Sequence, residues 1–233
     1  MFLYHFDPMY FLIVGPAILL SIIAQIWVKS AFSKYSKVGV SSGLSGAEAA
    51  QRILARQGLN VRVERVDGFL SDHYDPRAKV LRLSSNVYEG RSLSSIGVAA
   101  HEAGHALQDA NGYVPLQFRS AIVPATSVGS QLAFPLLFIG MLFHSLGLMY
   151  AGIVLFSGVV LFQLVTLPVE IDASRRALAI VREQGIVTTG EEAAGARSVL
   201  TAAAMTYVAA AATAILTLLY FLMRAGLLGG RRD

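Results

Sequence analysis

Residues 98 to 112 read VAAHEAGHALQDANG. His101 and His105 are four residues apart, so on a helix their imidazoles share one face and can aim at a single ion. Glu102 follows the first histidine by one residue, which sets its carboxylate beside such an ion rather than on it. This HExxH arrangement suits zinc-assisted hydrolysis: zinc brings the pKa of a water toward ~7 and polarises a carbonyl, and the glutamate takes the proton. Two surface histidines on an ordinary helix would have the same spacing. The neighbours argue against that, because Val98, Ala99, Ala100, Ala103, Gly104 and Ala106 make the helix small and apolar. A glutamate and two histidines in such surroundings need partners, and a metal supplies one to all three. Zn2+ is therefore the expected cofactor, with Glu102 as the catalytic base.

Catalytic zinc usually takes three protein ligands and a water. The chain has no cysteine and five histidines, so thiolate ligands are excluded. His5 and His144 fall near the outer ends of apolar stretches, and His73 lies upstream in the turn-rich SDHYDPR. Carboxylates remain, and PVEIDASRRA at 168 to 177 offers Glu170 and Asp172 just where an apolar stretch ends. As solvated charges they would pair with Arg175 and Arg176. As ligands, either would complete the site.

The elements that position these residues belong to a membrane protein. Of the 233 residues, 55% are hydrophobic and only 15% charged, and the mean hydropathy is +0.57. Soluble domains carry about 25% charged residues, so the apolar excess is expected to face a lipid bilayer. Four stretches reach the ~20 residues that a span needs: about 9–28, 121–143, 146–167 and 202–223. The first has no basic n-region or small-residue cleavage site and reads as an uncleaved anchor. The second is interrupted by Pro124, Ser127, Ser130, Gln131 and Pro135, as in a helix that lines a cleft.

Two polar regions, about 29–120 and 168–201, carry twelve and four of the Lys and Arg residues. A turn at His144 and Ser145 joins the second and third spans, which returns both regions to one side. The positive-inside rule makes that side cytoplasmic, against the vote of Arg224, Arg231 and Arg232. Ser45 with Glu48 reads as a capping box opening a helix that ends at Gly58, and Thr189 with Glu192 as another, opening a helix into the fourth span. NVRVERV alternates like a strand, and KVLRLS supplies a second, for a small hairpin or sheet edge. Residues 92 to 110 read as one helix ended by Asn111-Gly112. The expected fold is mainly α: one membrane-embedded domain over 1–233, with four spans, a catalytic helix and a small β element. A net charge of +4 without a basic arm excludes nucleic acid as a partner.

HEAGHALQ, followed two spans later by VEIDASRRA and preceded by SDHYDPR, resembles the YugP-like membrane zinc metallopeptidases. EIDAS is also similar to the ExxxD segment of the wider group that includes the HtpX- and Ste24-type membrane proteases. That likeness implies that Glu170 is the third zinc ligand, beside His101 and His105, with Asp172 as the alternative. It puts Ser174 where the wider group has an aspartate, a weaker partner for a ligand histidine. It also implies His73, with Tyr74 as competitor, as a donor to the transition-state oxyanion. The expected function is a multi-pass zinc endopeptidase of the cell membrane, acting on membrane or membrane-associated polypeptides at the cytoplasmic surface. The alternative is a metal-binding scaffold or chaperone without catalysis, which would have no need of Glu102. A metal transporter is disfavoured, since no span holds an acidic residue.

Overall fold

The computed structural model describes residues 7–68 and 71–228. In chain order its elements are α1 (Pro8–Tyr35), α2 (Gly46–Arg56), β1 (Arg62–Val66), β2 (His73–Asp75), β3 (Val80–Ser84), α3 (Ser85–Tyr88), α4 (Leu93–Ala110), α5 (Val114–Leu142), α6 (Leu146–Glu183) and α7 (Gly190–Arg224). The architecture is mainly helical, and α1, α5, α6 and α7 are long and apolar enough to cross a membrane. At 1.5 Å per residue, the 38 residues of α6 extend about 57 Å, well beyond a ~30 Å hydrocarbon core. The helix continues through Pro168, and the residues after it carry the carboxylates of interest. His5, Arg231 and Arg232 lie outside the described residues.

The chain gathers into two compact units. One comprises residues 1–24, 118–167 and 206–233. Its interior holds Val14, Leu137, Met149, Ile153, Phe156 and Phe221, while Leu12, Phe143 and Val154 are at least 70% exposed. A helix group that is apolar both inside and out is suited to lipid. In this unit α5 and α6 pack through small residues. A Cβ on Gly140 would strike Met149, and one on Gly152 would strike Leu137. Such close approach is how helices associate where no hydrophobic effect drives them together. The turn between the two helices falls at His144, as expected, with φ of 52°.

The other unit comprises residues 25–117 and 168–205. Its helix α2 starts with the expected capping box: Ser45 Oγ accepts from the Glu48 N–H, and Glu48 Oε2 accepts from the Ser45 N–H at 2.7 Å. Thr189 and Glu192 do the same at the start of α7. The sheet is three-stranded, in the order β1-β3-β2. NVRVERV and KVLRLS do not form a hairpin with each other, because β1 and β3 run parallel. The turn-rich stretch between them holds β2, which pairs antiparallel with β3 and reverses the chain. Alternation within each stretch identified the strands and carried no information about which way they pair. β3 is central and mostly buried, and α4 packs against α2 and the sheet in a core built on Leu81, Leu83, Leu93, Ile96, Ala99, Ala100 and Ala103.

Candidate metal centre

α4 begins where Ser92 Oγ accepts from the Ser95 N–H. It ends at Asn111, followed by Gly112 at φ of 64°. It is buried along most of its length. The apolar, small residues around the histidines leave room for a close neighbour, and Gly104 meets it. A Cβ at this position would lie 2.6 Å from the carbonyl oxygen of Ala173 in α6. That approach sets the HExxH turn of α4 directly against the VEIDAS segment.

Across this contact, His101 Nε2 lies 3.1 Å and His105 Nε2 3.6 Å from the same atom, Glu170 Oε2. One ligand atom from each of the three residues falls within a 4.8 Å group. Ligands at ~2.0–2.1 Å from a tetrahedral zinc are ~3.3 Å from one another. The observed separations bracket that value, and an all-nitrogen-and-oxygen donor set is one that zinc accepts in catalytic sites. The residues therefore fit zinc. Glu170 is 2% exposed and His105 8%. Burial pulls the His105 imidazole down, but hydrogen bonding to Glu170 and the charges of Glu102 and Glu170 outweigh it and raise its pKa. The field at the site thus favours positive charge. Glu102 is itself buried, one residue along from His101, and its charge is among those that raise His105.

A second ring of contacts holds both histidines. His101 Nδ1 pairs with Ser174 Oγ at 3.1 Å. His105 Nδ1 pairs with Gln108 Oε1 at 2.9 Å. Gln108 Nε2 in turn donates to Asp172 Oδ2 at 2.8 Å, and Arg176 Nε donates to the same oxygen at 2.6 Å. Asp172 is therefore placed behind Gln108, one residue removed from the histidine. Gln108 carried no assignment on sequence grounds. Its signal was present nonetheless, as a polar residue three positions after His105, on the same side of the helix as the histidine.

His73 is not in the three-residue group. It sits exposed on β2, with Nδ1 2.8 Å from the Ser71 carbonyl oxygen and Nε2 3.3 Å from Arg82. Tyr74 donates its hydroxyl to Asp109 Oδ2 at 2.7 Å.

A family model described as "Putative neutral zinc metallopeptidase" matches residues 10–226. The chain is also 54% identical over 206 residues to a Bacillus subtilis (strain 168) protein named "Putative membrane protease YugP", covering 88% of this chain and 91% of that one. No solved structure matches. With nearly its whole length matched, and with a donor set suited to zinc where the HExxH helix meets α6, the chain belongs to this YugP-like family of neutral zinc metallopeptidases.

Proposed function

We propose that this protein is a zinc-dependent endopeptidase that cleaves membrane or membrane-associated polypeptides near the cytoplasmic surface. The observation that carries the reading is the convergence of His101, His105 and Glu170 from two helices, with the buried Glu102 next to His101 in the chain. Zinc held by these three residues would acidify a water and polarise the scissile carbonyl. Glu102 takes the proton of the attacking water as general base, then delivers it to the leaving amine as general acid. Ser174 and Gln108 hold the imidazoles in place from behind. An oxyanion donor at His73 requires β2 to bring the imidazole to the scissile carbonyl when substrate binds. His73→Ala then lowers turnover with zinc content unchanged.

The substrate class is supported by one feature of the chain: α4 is separated by only a short turn from α5, one of the membrane-length helices. The cytoplasmic assignment rests on the Lys and Arg count of the two polar regions. Single cysteines introduced into this cysteine-free chain, at 77 and 182, test it by labelling from either side of sealed vesicles. The hydrolase reading is tested with purified protein, a fluorogenic polypeptide and a zinc assay. Glu102→Gln is expected to retain zinc and lose turnover by ~10²–10⁴-fold. Equal turnover by both proteins refutes the hydrolase and leaves a metal-binding scaffold.

A further inference from the structure

Gln108 is fully buried, at 0% exposure. Its carboxamide has two N–H donors on one side and only acceptor capacity on the other. Both donors are committed: Nε2 donates to the Val169 carbonyl at 2.8 Å and to Asp172 Oδ2 at 2.8 Å. The carbonyl can only accept, and Asp172 accepts as a carboxylate because Arg176 is bonded to it. Turning the amide over would point its oxygen at two other oxygens, so the side chain has one orientation. Oε1 is then what faces His105 Nδ1, and an amide oxygen can only accept. Nδ1 must carry the hydrogen, which leaves Nε2 as the atom presented to Glu170.

We infer that Gln108 is a positioning residue that fixes the tautomer of His105, with Asp172 and Arg176 acting through it. The inference rests on the zinc reading above and names a device that the reading does not require. His101 has no equivalent: a serine hydroxyl both donates and accepts, so Ser174 steadies that ring without choosing its tautomer. The VEIDAS segment thus serves both histidines, directly through Ser174 and indirectly through Asp172 and Gln108.

The test uses the full-length protein in detergent. Nitrogen-15 NMR of labelled histidine reads the tautomer of His105 with and without zinc, and chelator competition reads zinc affinity for the native protein, Gln108→Met and Asp172→Asn. The native protein is expected to show Nδ1 protonated in both states. Gln108→Met is expected to move the His105 hydrogen from Nδ1 toward Nε2, where Glu170 can accept it, in the metal-free protein, and to weaken zinc ~10–100-fold, the usual range for such outer partners. Asp172→Asn, whose amide can face Gln108 by either end, gives a smaller loss. Native His105 with Nδ1 unprotonated overturns the inference, as does a Gln108→Met protein with native affinity and Nδ1 still protonated in the metal-free state. If Gln108→Met fails to fold, the native tautomer and Asp172→Asn decide. A native protein that binds no zinc refutes the zinc reading, and the metal-free tautomer still decides the role of Gln108.

Discussion

Replacing Gly104 by alanine is expected to damage the protein, whereas the same replacement at Gly97, two turns earlier in α4, is expected to be harmless or helpful. The added Cβ at 104 would lie 2.6 Å from the Ala173 carbonyl oxygen, and ordinary contact begins at 3.4 Å. The obstacle is backbone on both sides, so α4 and α6 must separate by about 0.8 Å. Overpacking of this kind costs ~1–3 kcal/mol, against a helix-propensity gain from Gly to Ala of ~0.8–1.0 kcal/mol. At Gly97 the nearest atom to the new Cβ, the Ala196 carbonyl oxygen, is 3.8 Å away, so only the gain remains. The separation also falls on the metal centre, because Glu170 rides on α6 and both histidines on α4. The distances of 3.1 and 3.6 Å would lengthen by several tenths of an ångström, beyond the ~0.2 Å that zinc–ligand bonds tolerate. If ~1.4 kcal/mol of the strain falls on the loaded state, affinity drops tenfold. Denaturant unfolding of the metal-free proteins and chelator competition for zinc measure the two effects. A Gly104→Ala protein as stable as native, with native zinc affinity, refutes the close approach as the contact that assembles the site.

Three further outcomes are expected. Glu170→Ala removes a ligand and loses zinc affinity beyond the ~100-fold limit of outer-shell changes, while Asp172→Ala stays within it; full zinc retention by Glu170→Ala in elemental analysis refutes the donor set. Ser174→Ala loses a neutral hydrogen bond to His101 and weakens zinc by no more than ~10-fold, which the same chelator titration reads. The Ser45 N–H, with Arg91 alongside, holds the Glu48 carboxyl below the usual carboxylate range despite some desolvation. A depressed folded pKa adds stability that is present above the unfolded value of ~4.3 and lost as pH falls through the folded one. Melting temperatures are thus expected to drop below about pH 4 in the native protein and less steeply in Glu48→Gln; parallel acid limbs count against the capping box as a source of stability.

Much of the molecule was legible because the signals are local. Four apolar stretches of spanning length, the Ser45–Glu48 and Thr189–Glu192 caps, and the i,i+4 histidines each depend only on a few neighbouring residues and on helix geometry. The expectation of zinc rested on the donor types within one turn, and on a polar trio in an apolar helix that needs a partner. What the chain alone left open was every choice between distant residues. Glu170 and Asp172 are two positions apart on one helix and equally able to bind a metal. They sit about 160° apart around its axis, and only the seating of Gly104 on Ala173 decides which one faces the histidines. The same contact sends Asp172 to Gln108 and Ser174 to His101. Strand pairing was open for a similar reason: alternation marks a strand, but its direction is decided by how the intervening chain returns. The sequence by itself determined which residues could do the chemistry; packing between segments of two helices that lie 61 to 73 residues apart in the chain determined which of them meet.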